Sequence, residues 1–262
     1  MNVTIALAGK GGTGKTTIAA LLIKYLIATN AGSILAIDAD PSTNLNLALG
    51  VPLDQTIGDI REEMLARVDK TNGSINGRPQ MSKRDYLDYE IEFAMVEGKD
   101  VDLLAMGRPE GPGCYCAVNH ILRDIVDRRG SSYNYVVIDN EAGLEHLSRR
   151  TTRDVDVLLV VTDPTVRGIV AAGRVADLCR ELAIEVKHTV LVVNRVQDDL
   201  TPALRAALKS VNIAQAEIVP SDPLVADFDA NGRPLIELPE DSVIYQSVCA
   251  LAQRILHEPL SH

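Results

Sequence analysis

The stretch GKGGTGKTT, residues 9–17, decides the fold of this chain. It begins directly after an apolar segment typical of a buried strand and continues into a segment with helical periodicity. In that context it fits the pattern G-x-x-x-x-G-K-T, whose glycines let backbone N–H groups face a polyphosphate at the start of a helix. We therefore predict a strand–loop–helix unit that binds a nucleotide. The residues expected to contact the nucleotide are Gly11, Gly12, Thr13, Gly14, Lys15, Thr16 and Thr17.

Outside this loop, short runs rich in Val and Ile alternate with helix-length segments. The runs are continuously apolar, which is typical of strands buried on both faces of a mostly parallel sheet. We predict a doubly wound α/β domain, the fold of P-loop NTPases, with about seven or eight strands flanked by helices. The predicted strands lie near 2–8, 34–38, 101–105, 135–139, 156–162, 188–194 and 216–219. The predicted helices cover 15–28, 117–129, 167–182, 201–210 and 243–257.

The composition favours a single domain over residues 1–262, because 46% of the residues are hydrophobic and no linker or repeat interrupts the chain. Residues 51–100 are the exception. They contain the polar, turn-rich stretch VDKTNGSINGRPQMSKRDYLDYE (68–90), which predicts an irregular insertion over one edge of the sheet.

The charge and the hydropathy exclude several classes of partner. A net charge of −10 argues against binding to nucleic acid or to an anionic membrane surface, since both require clustered Lys and Arg. No apolar run approaches the ~18 residues of a membrane span, and the N-terminus lacks the pattern of a secretory signal. We expect a cytoplasmic protein without membrane insertion, whose four cysteines stay reduced.

Three side chains have predicted roles at the phosphates. Lys15 is expected to reach the β- and γ-phosphates, and the hydroxyl of Thr16 is expected to ligate Mg²⁺. Asp139 closes an apolar strand, where a P-loop protein needs a second contact to Mg²⁺, usually through water. A simple cap of the strand end is the alternative for Asp139.

Lys10 adds a second lysine inside the loop, so that Lys10 to Thr16 reads K-G-G-x-G-K-T. In this feature the chain resembles the deviant Walker A ATPases, which include the MinD and ParA proteins and the iron protein of nitrogenase. The resemblance implies hydrolysis of ATP to ADP and phosphate in a face-to-face homodimer. It also implies that Lys10 reaches the phosphates bound by the partner subunit. An exposed loop lysine that only adds charge is the alternative.

The same resemblance implies further nucleotide contacts. Asp40, which precedes Pro41, corresponds to the aspartate that orients or activates the attacking water, and Asp38 is expected to support the Mg²⁺ shell. Capping of the following helix is the alternative for both aspartates. The resemblance places Asn194, and the loop that contains Pro220 and Asp222, beside the adenine. ATP is thus implied by the resemblance, whereas residue chemistry alone leaves GTP open.

Two cysteines lie one residue apart in GRPEGPGCYCAVNH, residues 107–120. Cys114 and Cys116 open a predicted helix, whose dipole and unpaired N–H groups favour thiolates, and thiolates bind soft or borderline metals. Two sulfur atoms are too few for a tetrahedral site, but a symmetric dimer supplies four. His120 is the alternative ligand within one chain, and two buried apolar thiols are the alternative to a metal site.

The segments GPGCYC (111–116) and NEAGLEHLSRRT (140–151) resemble the CooC-type nickel-insertion ATPases that mature carbon monoxide dehydrogenase and acetyl-CoA synthase. The resemblance implies one Ni²⁺ held by Cys114 and Cys116 of both subunits, with Zn²⁺ as a competitor. It also implies a nickel enzyme, such as carbon monoxide dehydrogenase, as the client. Asn140 and Glu141 depart from the small residues expected before Gly143.

Two other functions are considered. An iron–sulfur reductase similar to the nitrogenase iron protein would need a second cysteine near the switch, which DNEAGLEHL lacks, although two C-x-C pairs could still supply four thiolates. A MinD- or ParA-type positioning ATPase would need a basic amphipathic helix or a basic DNA-binding face. Cys179 and Cys249 lie on predicted helices among apolar neighbours, so a place in the core is expected for both.

Overall fold

The computed structural model describes residues 2–60, 62–63, 94–107, 130–141, 154–181 and 185–257, and the account below is confined to them. Seven strands form one sheet in the order β3-β2-β4-β1-β5-β6-β7, and every pair of neighbouring strands is parallel. The strands are Val3–Ala8 (β1), Ile34–Ala39 (β2), Asp102–Ala105 (β3), Tyr135–Asn140 (β4), Asp154–Thr162 (β5), Glu185–Val196 (β6) and Gln215–Pro220 (β7). The predicted doubly wound α/β fold and its strand count are confirmed.

Helices cover both faces of this sheet. They are Lys15–Ala28 (α1), Leu45–Leu49 (α2), Val166–Glu181 (α3), Pro202–Ser210 (α4), Pro223–Ala230 (α5) and Val243–His257 (α6), with 3₁₀ turns at Gly130–Ser132 and Leu235–Glu237. Helix α1 packs against α2, α6 and the second 3₁₀ turn on one face, and α3 packs with α4 on the other. The sequence did not predict α2 or α5. The predicted helix 117–129 lies outside the described residues.

The alternation of side chains along each central strand produces two separate apolar cores. In β1, Ile5 and Leu7 point to the core that contains α1, while Ala6 and Ala8 point to the core that contains α3. All four side chains are fully buried. Burial on both faces explains why the strand sequences are continuously apolar rather than alternating.

The beginning and end of the predicted insertion lie at one edge of the sheet. β3 is the edge strand, and Val96 forms an antiparallel bridge with Leu103 of β3, with both backbone hydrogen bonds at 2.9 Å. Residues 57–60 are helical. The remainder of the predicted insertion, residue 61 and residues 64–93, lies outside the described residues.

Because all strands are parallel, their carboxyl ends meet along one rim of the sheet. The loop after β1 and the ends of β2, β4 and β6 therefore approach one another there, although they are far apart in sequence. Among the helices that the structure describes, none is long and apolar enough to cross a membrane.

Candidate nucleotide site

The phosphate loop joins β1 to α1 through glycines whose conformation no other residue could adopt without strain. Gly9 has φ 142°, and a Cβ atom there would lie 2.1 Å from the carbonyl oxygen of Val161. Gly14 has φ 90°, and a Cβ atom there would lie 2.4 Å from Nδ2 of Asn194. Helix α1 begins at Lys15, so the N–H groups of its first turn face the loop. This arrangement is suited to binding an anion.

Lys15 is almost fully buried at the base of this loop, with 7% of its surface exposed. Its Nζ lies 3.4 Å from the carbonyl oxygen of Lys10, which also accepts a hydrogen bond from Oγ1 of Thr13 at 2.9 Å. Burial lowers the pKa of Lys15, and the charges of Asp139, Asp40 and Glu141 oppose this shift. Phosphate groups bound in the loop would further favour the charged ammonium group.

Thr16 and Asp139 form the pair expected for Mg²⁺. Oγ1 of Thr16 donates a hydrogen bond to Oδ2 of Asp139 at 2.5 Å. Oδ1 of Asp139 is buried and has no hydrogen-bond partner among the residues that the structure describes. Burial raises the pKa of Asp139 to about 7, although the hydrogen bond from Thr16 opposes the shift. An oxygen atom with free acceptor capacity beside a threonine hydroxyl fits Mg²⁺, which prefers oxygen ligands.

Asp38 lies next to this pair and is directly opposite Asp139 in the register of β2 and β4. It is fully buried, and its two carboxylate oxygens accept hydrogen bonds from the backbone N–H groups of Asp40 at 3.1 Å and Leu45 at 2.9 Å. Burial raises the pKa of Asp38 to about 6, with these backbone hydrogen bonds opposing the shift. Asp38 therefore holds the loop after β2 and the start of α2, and its support of the Mg²⁺ shell stays a prediction.

Asp40 is half-buried and lies on the wall of a cavity of about 410 Å³ above the phosphate loop. Its Oδ1 accepts a hydrogen bond from the backbone N–H of Ser42 at 2.8 Å. Glu141 extends into the same cavity, directly after Asn140, whose Nδ2 donates to the carbonyl oxygen of Leu7 at 2.8 Å. The cavity is lined by Gly11, Gly12, Gly14, Lys15, Thr16, Asp40, Ser42, Asn44, Glu141 and Arg195.

A second cavity, of about 360 Å³, adjoins the first at Thr16 and Asn44. It extends from the start of α1 to the turn after α5, where the guanidinium of Arg233 stacks on the ring of Phe228 at 3.8 Å. It is lined by Thr16, Thr17, Asn44, Leu47, Ala48, Asp229, Gly232, Arg233 and Leu235. Together the two cavities have room for a polyphosphate and an adjoining group.

Asn194 lies against the phosphate loop and is 1% exposed. Its Nδ2 donates to the carbonyl oxygen of Thr13, and its Oδ1 accepts from the N–H of Arg195, both at 2.9 Å. Arg195, which the sequence analysis did not select, donates from Nη1 to the carbonyl oxygen of Gly12 at 2.9 Å. The sequence signal that could have identified Arg195 was its place beside Asn194, in a pair of polar residues at the end of an apolar strand.

Asp222 takes part in a different set of contacts, at the start of α5. Its Oδ1 accepts from the N–H of Leu224 at 3.0 Å, and its Oδ2 accepts from Oγ of Ser242 at 2.7 Å. Burial would raise the pKa of Asp222, but these hydrogen bonds outweigh it and lower the pKa. Pro220 is the last residue of β7. Contact of Pro220 and Asp222 with the base stays a prediction.

The predicted metal ligands Cys114 and Cys116, and the alternative ligand His120, lie outside the described residues. Within the described ranges, no group of three or more His, Cys, Asp or Glu residues could hold a metal ion. Cys179 is a buried free thiol and Cys249 is a half-buried one. Burial raises the pKa of Cys179 to about 11 and also raises that of Cys249, which favours the neutral thiol. Both contact the apolar cores, as expected.

A phosphate loop at the start of α1, with Thr16 hydrogen-bonded to the buried Asp139 beside it, defines a P-loop nucleotide-binding protein. The sequence profile of the CobQ/CobB/MinD/ParA nucleotide binding domain matches residues 4–235. The chain belongs to this family, and it is a P-loop ATPase.

Several proteins are similar to this chain. An ATP-binding protein of Methanocaldococcus jannaschii is 43% identical over 254 residues, which cover 97% of this chain and 98% of that protein. The carbon monoxide dehydrogenase accessory protein CooC of Rhodospirillum rubrum is 34% identical over 195 residues, covering 69% of this chain and 70% of CooC. The structure of the septum site-determining protein MinD of Pyrococcus horikoshii with Mg-ADP superimposes with a TM-score of 0.71 and 21% identity, covering 98% of this chain and 97% of MinD.

Proposed function

We propose that this ATPase is a metallochaperone, which dimerises on ATP and delivers nickel to a nickel enzyme such as carbon monoxide dehydrogenase. The observation that carries this proposal is the similarity to CooC, named as a carbon monoxide dehydrogenase accessory protein, over 69% of the chain. The C-x-C pair Cys114 and Cys116 supplies the thiolates that the role requires. In this proposal nickel is the cargo of the protein.

The site geometry supports a division of labour in ATP hydrolysis. The N–H groups of the phosphate loop and the ammonium group of Lys15 would bind the phosphates, and Thr16 and Asp139, which lie together, would hold Mg²⁺. Mg²⁺ neutralises charge on the β- and γ-phosphate oxygens when bound. Asp40, on the wall of the same cavity, accepts a hydrogen bond from the attacking water and orients it.

The metal site follows from symmetry. One C-x-C pair provides two thiolates, and a twofold axis near the pair provides four, which is enough for a tetrahedral or square-planar site. ATP binding favours the dimer, and the dimer has the higher metal affinity, so nucleotide state and metal affinity are coupled. Release of the nucleotide products would then lower the metal affinity and favour transfer to the client.

The decisive experiment measures metal and mass together. Native mass spectrometry of the full chain is run with Ni²⁺ or Zn²⁺, with and without a non-hydrolysable ATP analogue. We expect one metal ion per dimer in the wild type and none in Cys114→Ala/Cys116→Ala, with nucleotide binding retained. Cys179→Ala/Cys249→Ala is the matched control, because these thiols lie against the apolar cores and should leave metal binding unchanged.

Three results would contradict the proposal. Equal metal content in both double variants would show that Cys114 and Cys116 do not hold the metal. Four iron atoms with inorganic sulfide per dimer would indicate an iron–sulfur reductase instead. A nucleotide-dependent dimer without metal, which binds anionic vesicles or DNA, would indicate a positioning ATPase.

A further inference from the structure

The end of β6 departs from regular strand pairing directly beside the phosphate loop. β6 and β7 pair in parallel, but their register shifts between Val193 and Val196. Arg195 lies inside this irregularity with φ 61°, in the left-handed region that arginine adopts only at an energetic cost. Bulges next to active sites redirect side chains, and here the Arg195 side chain is directed to the phosphate loop.

Arg195 and Asn194 bind two consecutive carbonyl groups of the phosphate loop. Nη1 of Arg195 donates to the carbonyl oxygen of Gly12, and Nδ2 of Asn194 donates to that of Thr13, both at 2.9 Å. Oδ1 of Asn194 also accepts from the N–H of Arg195 at 2.9 Å, which stabilises the left-handed backbone. The two side chains thus hold the carbonyl groups of Gly12 and Thr13 against the end of β6.

These contacts determine where the N–H groups of the loop point. In a trans peptide the C=O and N–H groups point in opposite directions. The Gly12 carbonyl shares its peptide with the N–H of Thr13, and the Thr13 carbonyl shares its peptide with the N–H of Gly14. When β6 holds both carbonyls, both N–H groups turn away from β6, as a cradle for phosphate requires.

At Gly12, packing contributes little to holding the Gly12–Thr13 peptide. A Cβ atom at Gly12 would meet nothing within 4 Å among the described residues, and φ at Gly12 is 78°. Glycine also leaves this peptide free to rotate. The hydrogen bond from Arg195 therefore restrains the Gly12 end of this peptide, while the Thr13 end is held by its own contacts with Lys10 and Asn194.

We propose that Arg195 is a positioning residue of the ATPase. It fixes the Gly12–Thr13 peptide with its N–H group towards the bound phosphates before the nucleotide arrives, so that binding does not need to order the loop. Because loop N–H groups cradle the α- and β-phosphates, Arg195 supports ADP and ATP alike. This inference rests on the ATP site and is independent of the proposed metal-delivery role.

The test is Arg195→Gly in the full chain, with ADP and ATP affinity measured by isothermal titration calorimetry and the Tm of the nucleotide-free protein measured in parallel. Glycine accepts φ 61° without strain, so the Tm should stay close to that of the wild type. The affinity for both nucleotides should fall about tenfold, the effect of losing one hydrogen bond from a charged donor. Arg195→Lys retains a charged donor and should recover part of the affinity.

Arg205→Ala is the control, because its Nε donates to the carbonyl oxygen of Leu200 at 3.0 Å rather than to the phosphate loop. It should bind both nucleotides as the wild type does. Wild-type affinity in Arg195→Gly would overturn the proposal. So would a Tm that falls together with the affinity, since that would indicate a general structural role, or a lack of any recovery in Arg195→Lys. Nucleotide affinity is measured without nickel, so loss of the metal-delivery role would not change these outcomes.

Discussion

At the scale of single residues, Asp139 is a buried carboxylate beside Thr16 of the phosphate loop. Oδ2 of Asp139 accepts a hydrogen bond from Thr16, while Oδ1 has no partner within the described part of the chain. A buried carboxylate with free acceptor capacity is unfavourable in its charged form, which explains the pKa of about 7. A bound cation would reverse this balance, because it stabilises the charged form directly.

Asp139→Asn should therefore stabilise the metal-free protein at high pH and weaken Mg²⁺-dependent ATP binding. The pKa of Asp139 is raised from 3.8 to about 7 on folding, so its contribution to the free energy of unfolding is fully present below pH 4 and is lost as the pH rises through 7. Asn does not titrate. In EDTA at pH 8 the Tm of the variant should exceed that of the wild type by about 2–4 °C, the effect of ~1 kcal/mol, and the difference should shrink towards pH 4.

Thermal unfolding between pH 4 and pH 8 checks this prediction, with Asp177→Asn as the control because Asp177 lies exposed on α3. With Mg-ATP present the order of the two Tm values should reverse, since the wild type alone keeps the carboxylate ligand. The same pH dependence in Asp139→Asn and wild type would show that Asp139 does not titrate in this range.

At the scale of elements, one carboxylate connects two helices. Asp222 caps α5 through the N–H of Leu224, and it accepts a hydrogen bond from Ser242, which directly precedes α6. Oγ of Ser242 in turn accepts from the N–H of Tyr245 at 3.4 Å. The starts of both helices therefore depend on Asp222, and α6 forms much of the core around α1.

Asp222→Ala should lower the free energy of unfolding by about 1–2 kcal/mol at pH 7, since it removes a helix cap and leaves Ser242 without its acceptor. The hydrogen bonds lower the pKa of Asp222 in the folded state, so its stabilising contribution is present above the ordinary carboxyl pKa of 3.8 and is lost as the pH falls through the lowered value. Urea unfolding at pH 7 and at low pH measures the difference, which should shrink in acid. Asp198→Ala, at an exposed position, is the control. An equal loss of stability in Asp198→Ala would show that the loss in Asp222→Ala does not come from the helix cap.

At the scale of the whole molecule, an exposed lysine and an apolar cavity lie together beside the phosphate loop. The side chain of Lys10 is exposed. Beside it is a cavity of about 270 Å³ between β5 and α3, lined mainly by small and apolar residues. Val166 and Val170, on α3, are 43% and 37% exposed. In the proposed dimer this surface would be buried against the second copy, with Lys10 beside the partner's phosphates.

Lys10→Ala should retain ATP binding but lose the ATP-dependent dimer, and its hydrolysis rate should fall at least about tenfold, because the partner's phosphates would lack one charge-assisted contact. Light scattering after size exclusion, with a non-hydrolysable ATP analogue, measures the dimer. Lys209→Ala removes an exposed lysine from α4 and should behave as the wild type. A dimer of unchanged stability in Lys10→Ala would mean that Lys10 does not act across the interface.

Features that depend on neighbouring residues in the sequence were predictable. The bounds of α1, Lys15–Ala28, agree with the predicted helix, and each observed strand overlaps a predicted one. The helices α2 and α5 were not predicted, because they have five and eight residues and are too short for a clear period. The start of α2 depends on the carboxylate of Asp38, seven positions before it, whereas α5 begins at a local cap, Asp222.

The sequence by itself determined the phosphate loop, the parallel α/β fold and the family, because glycine spacing and continuous apolar runs constrain the backbone locally. Tertiary structure alone decided that Asn194 contacts Thr13, 181 positions earlier, that Arg195 holds Gly12, and that Asp139 keeps one oxygen free beside Thr16. These contacts arise from the strand order, which brings the ends of distant strands to one rim. A linear pattern carries no information about which of its polar residues will meet there.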